Sequence, residues 1–303
     1  MPAGRPVRPG RDAARQPSAV QRRHGRLGVD RLGDCPAAVG RLSAGPASFA
    51  GKGQTLSTPD HFSAHATNYA KARPSYPVEL FAWLAQQCPG RQLAWDCATG
   101  NGQAALALTE HFKQVHATDL SAEQLAQARP HPRIAYRTTP AEASGLADSS
   151  CDLVTVAQAL HWFCNDSFYS EVKRVLKPDG LLAAWTYGLL RGDPELNAMV
   201  RDFHANIVGR YWPPERRWVD LGYHGMPFPF DDIATPGFEI RLEWTLADLL
   251  AYLRTWSATQ RCIRDTGSDP CLVLGKRLRK IWPDPAATRT IIWPIAMRCG
   301  RIE

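Results

Sequence analysis

The eleven residues Leu93-Ala-Trp-Asp-Cys-Ala-Thr-Gly-Asn-Gly-Gln103 constrain this chain more than any other stretch. A short apolar run meets an acid and then a glycine-containing turn, after which Ala104, Ala105, Leu108 and Phe112 recur at helical spacing. That order predicts strand, loop, helix. Lacking a Cβ, Gly100 and Gly102 let the backbone take left-handed dihedrals and approach a ligand closely. The helix that follows would aim its first amides into the same crevice. Gly100 to Ala105 also fits the G-x-G-x-x-A dinucleotide fingerprint, so the loop alone leaves open which nucleotide-bearing cofactor it serves.

The rest of the chain repeats the alternation. Residues 115–120 predict a second strand ending near Asp119, close to the roughly 20-residue offset at which a carboxylate accepts from ribose hydroxyls. Ser121 to Gln124 reads as a capping box, with Leu120 and Leu125 as its hydrophobic staple. Residues 133–138 predict a third strand. Cys151–Ala157, nearly all apolar or β-branched, predicts a fourth that is covered on both faces. It runs into Gln158-Ala-Leu-His161-Trp162-Phe163, where polar and aromatic groups gather at a strand's carboxyl end. Ligands bind along that edge in open α/β sheets, which makes His161 a candidate catalytic group. A helix burying Phe168, Val172, Val175 and Leu176 then stops at Lys177-Pro-Asp-Gly180, read as a tight turn feeding a fifth strand at 181–187. Strands alternating with helices imply right-handed crossovers and a parallel sheet.

Upstream, Phe62 to Pro77 mixes aromatic and basic residues ahead of a helix that turns Leu80, Phe81 and Leu84 inward and ends at Cys88-Pro-Gly. Arg73 is suited to clamp an acidic group, and Tyr69 to close over a cofactor. Downstream, residues 188–236 break the rhythm. A helix from Asp193-Pro194 carries Leu196, Met199, Val200, Phe203 and Ile207 on one stripe. The aromatic, Pro-rich segments 211–218 and 226–230 that follow are of the kind that form lids, and Arg216 and Arg217 are candidate clamps for an acidic acceptor. Phe238–Trp244 predicts a sixth strand, Thr245 to Asp248 a cap opening an amphipathic helix, and 264–280 a turn and basic helix. A last strand at 288–297 contains Pro294, which implies an edge or a bulge.

Charge separates the ends of the chain. The formal net charge is +7, but residues 1–57 hold nine Arg, Lys52 and only three Asp, so the remainder balances to zero. No nucleic-acid-binding excess is left in the folded part. The leader at 1–57, rich in Arg, Pro and Gly, has too little apolar content to order itself. The eight cysteines form no C-x-x-C pair and no Cys/His cluster with metal spacing, which predicts no metal site and suits a reducing cytoplasm. No apolar run approaches the roughly 18 residues of a spanning helix.

Asp96 to Gly102, Asp119, Ala141-Glu142, the Asp152-Leu-Val strand and the turn before the fifth strand together resemble the class I S-adenosylmethionine (SAM) methyltransferases, within the type 11 group. Ala98 stands where the family's motif has its first of three glycines. Tyr69 and Arg73-Pro-Ser-Tyr-Pro77 resemble the trans-aconitate methyltransferase-like branch. The resemblance covers 58–303 and implies a Rossmann-like, doubly wound α/β fold. Its mostly parallel sheet would have seven strands with the last antiparallel, and a cap of helix and loop (188–236) inserted after strand 5. It implies that SAM is the cofactor, with Asp96, Ala98, Thr99, Gly100, Asn101 and Gly102 beside its methionine part. Asp119 and Leu120 would lie at the ribose, Ala141 and Glu142 at the adenine, and Ala157 and Gln158 at the border, with Tyr69 over the top. The resemblance does not give the acceptor; the residues themselves suggest an oxygen of a small anionic metabolite near Arg73, Trp162, Arg216 and Arg217, and not a nucleic acid or a membrane, and a monomer or homodimer is expected. An NAD(P)-dependent oxidoreductase using the same loop, and a catalytically silent SAM-binding protein, are the alternative readings.

Overall fold

A computed structural model describes residues 73–302; the leader at 1–57 and the candidate Tyr69 lie outside the described residues. Five strands are parallel: β1 (Leu93–Cys97), β2 (Gln114–Asp119), β3 (Ile134–Thr138), β4 (Cys151–Ala157) and β5 (Leu176–Tyr187). With β6 (Asp231–Asp232), β7 (Phe238–Trp244) and β8 (Arg289–Arg301) they form one eight-stranded sheet, ordered β3-β2-β1-β4-β5-β8-β6, with β7 also on β8. β8 runs antiparallel to all three strands it pairs with, β5, β6 and β7. The predicted seven positions across the sheet therefore stand, because the two-residue β6 shares with β7 the edge of β8 that faces away from β5. Pro294 pairs with Glu239, one residue beyond Ile295, where the β5 ladder ends, so it is edge-like on that side.

The predicted turn at Lys177 to Gly180 is present as a bulge within β5: the ladder with β4 steps from Leu176 to Leu181, and Asp179 takes φ 60°. Asp152, buried in β4, anchors it: its Oδ1 takes Lys177 Nζ at 2.7 Å, and its Oδ2 accepts from the amides of Gln92 and Leu93 at 2.7 and 3.0 Å. One carboxylate thus ties the beginnings of β1, β4 and β5 together.

Side chains alternate across the sheet, so adjacent residues feed opposite cores: Leu153 one and Val154 the other, Leu181 one and Leu182 the other. Helix α1 (Val78–Gln87) buries Leu80, Phe81 and Leu84 as predicted. The short α2 (Gln103–Leu108) follows the glycine loop, and α3 (Ala122–Leu125) is a single turn. Ser121 Oγ does accept from Gln124 N at 3.1 Å, but Leu120 is 65% exposed, so the predicted staple does not form. α4 (Asp166–Val175), capped by Asn165, packs Phe168, Val172 and Val175 inward.

α5 (Pro194–Asp202) is capped by Asp193 and passes into a π-helical turn at Phe203–Ile207. The wider turn rotates the apolar stripe, and Ile207 ends exposed rather than buried. α6 (Arg216–Asp220) lies in the aromatic, Pro-rich segment. α7 (Leu246–Arg254) starts with the capping box of Thr245 and Asp248. An additional helix, α8 (Ser257–Thr266), ends at Gly267 in the left-handed region, and the predicted turn then leads into the basic helix α9 (Pro270–Leu278).

Candidate functional site

Strand order reverses at β1, which is flanked by β2 and β4, and a crevice forms at such a switch point outside the carboxyl ends of the strands. The loop leaving β1 is bent by three left-handed residues: Ala98 (φ 54°), Gly100 (φ 59°) and Gly102 (φ 80°). A Cβ on Gly102 would meet the Tyr136 hydroxyl at 2.5 Å, whereas one on Gly100 would have nothing within 4 Å. Gly102 is thus required by both dihedral and space, and Gly100 by its dihedral alone.

Asp96 does not open onto the crevice. It is fully buried, and its carboxyl accepts from Thr155 Oγ1 at 2.8 Å and from the Thr99 hydroxyl, holding the loop from behind. Burial raises its pKa from the ordinary 3.8 to about 6, against the pull of those hydroxyl bonds. Asp119 closes β2 at the crevice mouth, where Oδ2 accepts from Gly100 N at 2.8 Å and Oδ1 from Ser121 N at 2.9 Å. Asn101 is half-buried, Thr99 buried, and Leu120 stands exposed beside Asp119. Ala141 is buried, and Glu142 Oε1 accepts from Asn165 Nδ2 at 3.1 Å. Ala157 is half-buried at the end of β4.

A cavity lies past the ends of β4 and β5. Its polar wall comes from Arg73, Gln158, His161 and Arg216, and its rings from Trp162, Tyr187, Trp212, Tyr252 and Trp256. Arg217 is not part of it: exposed, it stacks on the Trp218 ring at 4.7 Å, on another side of α6 from Arg216. Arg216 Nε pairs with Asp220 Oδ1 at 3.0 Å, and its guanidinium lies 4.5 Å from the Trp212 ring centre. Burial first, and the Arg216 charge second, depress the His161 pKa to about 3, so the ring is neutral at physiological pH. Its Nδ1 lies 3.2 Å from the hydroxyl of the buried Tyr223. Gln158 adopts φ 60° and accepts from Thr186 Oγ1 at 2.8 Å.

Sequence reasoning missed several of these residues. Trp256 sits on a helical apolar stripe that reads as core, and Tyr252 is packed against the same core. Trp212 lies in a segment predicted as a lid without a partner. Tyr223 and Thr186 carry no local pattern at all. Among the described residues there is no group of three or more potential metal ligands, and the seven cysteines are thiols. Within the same residues no helix is long and apolar enough to cross a membrane.

A glycine-bent loop after β1 and an acid closing β2 at the switch point of the sheet are the arrangement of an α/β protein that holds a nucleoside-bearing cofactor. The family described as a methyltransferase domain matches residues 95–184. The chain is 32% identical over 214 residues to a Dictyostelium discoideum protein named as a methyltransferase, spanning 69% of this chain and 81% of that one. It is 34% identical over 186 residues to a Mycobacterium tuberculosis protein of the same designation, covering 61% and 70%. A solved structure described as a type II methyltransferase, from Anaeromyxobacter dehalogenans, superposes with a TM-score of 0.72 at 45% identity, covering 76% of this chain and 97% of that one. The chain belongs to the class I SAM-dependent methyltransferases, and the oxidoreductase reading is set aside.

The residues fit SAM. The open space at the Cβ position of Gly100 leaves the loop clear for close approach. Asp119 is fixed by the Gly100 and Ser121 amides at the end of β2, where its carboxylate would accept from ribose hydroxyls, and the exposed Leu120 would lie against the nucleoside. When bound, SAM supplies a sulfonium methyl group that is already electrophilic.

Proposed function

We propose that the chain, acting through residues 58–303, methylates an oxygen of a small, flat, anionic acceptor. The observation that carries this reading is the cavity wall: Arg73 and Arg216 among five aromatic rings, next to a neutral His161. Guanidinium groups take carboxylates, and ring faces suit a planar body. A displacement at an electrophilic methyl needs chiefly a desolvated nucleophile held near contact distance. A carboxylate qualifies without help, which would agree with the trans-aconitate-like branch that Arg73 and its neighbours resemble. A hydroxyl needs its proton accepted, and His161 is the cavity's group for that step. The net-neutral composition of 58–303 favours a small molecule over a nucleic acid, and the thiols favour a reducing, cytoplasmic setting.

The test is transfer of a labelled methyl group into a metabolite extract, fractionated into small molecules, protein and nucleic acid. Label should appear in a small organic acid and be absent without the enzyme. Label found only in protein or nucleic acid would overturn the proposal.

A further inference from the structure

Two of the cavity's rings, Trp212 and Trp256, also pack on His204, whose ring centre lies 5.0 and 5.8 Å from theirs. His204 sits in the π-helical turn that follows α5, and its carbonyl accepts from Trp212 Nε1 at 3.2 Å. Turns of this kind recur at functional sites. Its Nε2 is buried without a hydrogen-bond partner and lies 3.9 Å from Asp220 Oδ1. The same Oδ1 accepts from Arg216 Nε at 3.0 Å. One carboxylate oxygen on α6 is thus shared by a guanidinium and an imidazole.

Asp220 occupies one end of Arg216 and leaves the other open. The guanidinium gives its Nε to Asp220 and lies 4.5 Å from the Trp212 ring centre, while its two terminal nitrogens have no hydrogen-bond partner among the described residues. The side chain is 19% exposed and lines the cavity. That open end of the fork is the part that takes a carboxylate.

The charges of this cluster balance only while the cavity is empty. Asp220 offsets Arg216, and His204 is neutral at physiological pH: burial first, and the Arg216 charge second, lower its pKa, with Asp220 pulling the other way. A carboxylate on the terminal nitrogens of Arg216 adds a negative charge to a site largely withdrawn from water, and a proton on His204 restores neutrality. Both ring nitrogens then carry protons, so an N–H at Nε2 faces Asp220 Oδ1 whichever nitrogen was protonated before. Other charges nearby are engaged elsewhere. Asp202 is held by Asn206 and Arg277, and Arg210, Tyr211 and Asp265 bond one another.

We infer that Asp220 and His204 are positioning residues for the acceptor: Asp220 holds the open end of Arg216 toward the cavity, and His204 takes up a proton when an anion settles there. This rests on the cavity being the acceptor site. The proton comes from solvent and returns to it when the anion leaves, so no bond of the acceptor is made or broken by the uptake. Because an anion on Arg216 raises the His204 pKa, the added affinity is fully present below the value in the free protein and is lost as pH climbs through the value in the complex. The site therefore selects an ionised acceptor and holds it more firmly as pH falls.

The test titrates benzoate calorimetrically into the full chain with S-adenosylhomocysteine present, at pH 7.5 and 5.5, and at pH 6 in two buffers of different ionisation enthalpy. Native affinity should rise about threefold or more from pH 7.5 to pH 5.5, as follows from a pKa raised by about one unit on binding. The two buffers should report uptake of a proton. His204→Gln should abolish both the slope and the uptake. Asp220→Asn keeps an oxygen for Arg216 Nε but no charge, so it should bind benzoate more tightly than the native chain at pH 7.5 and show no slope, whereas loss of a merely structural residue would weaken binding. Asp96, its pKa raised to about 6 by burial, is common to all three proteins and cancels in the comparison. Native binding without slope or uptake, or a slope that survives in His204→Gln, overturns the inference and leaves the anionic cavity standing. Weaker binding in Asp220→Asn overturns it for Asp220. No binding of benzoate to the native chain at either pH overturns the cavity reading and the inference with it.

Discussion

Replacing Asp96 by Asn tests how the glycine loop is held. Asp96 is fully buried between the Thr99 and Thr155 hydroxyls, and burial raises its pKa from 3.8 to about 6. A group whose pKa rises on folding stabilises the fold fully below its unfolded value and loses that contribution as pH climbs through the folded value. For this shift the native chain should lose about 1.4 kcal/mol between pH 5 and pH 8 from Asp96 alone. Asn does not titrate, so that slope disappears in the variant. Urea unfolding of both proteins at pH 5, 6.5 and 8 reads the difference, in which other carboxylates cancel. Asp96→Asn should be least favourable relative to the native chain at pH 5 and should gain on it toward pH 8. Parallel profiles for the two proteins would refute the reasoning.

Asp119→Ala removes the acceptor fixed at the crevice mouth, and SAM affinity by calorimetry should fall at least tenfold, with circular dichroism unchanged. Arg216→Gln should weaken binding of an acidic acceptor by about tenfold or more, whereas Arg217→Gln, on the solvent side of the same helix, should leave it within twofold. Asp152→Ala strands two backbone amides and Lys177, and should cost about 3 kcal/mol in denaturant unfolding with little change in SAM affinity.

The cofactor crevice was legible because its determinants are local. A strand, a glycine turn and an acid one strand further on each announce themselves within ten or so residues, and β4 and β7 begin and end where their apolar patterns do. The aromatic cavity past β4 was legible only in part. Arg216 and Arg217 are identical in type and adjacent in sequence, yet successive helical residues point about 100° apart, so one faces the cavity and the other solvent. β8 runs to Arg301, four residues past its predicted end, because pairing with β5 continues after its apolar pattern stops. Tyr223 owes its place to a left-handed bend after α6, which no spacing rule reveals.

The role of β8 bears on how activity is acquired as the chain folds. β7 joins the sheet only through β8, and the segment bearing Trp212, Tyr252 and Trp256 is a loop closed when β8 docks on β5. The crevice residues from 93 to 142 pair among strands close in sequence, and contacts of short range form sooner than long closures. On that ground the crevice at β1 to β3 is expected to gain protection in pulsed hydrogen exchange during refolding before the aromatic cavity past β4 does, so that closing the cavity waits for the last strand to dock.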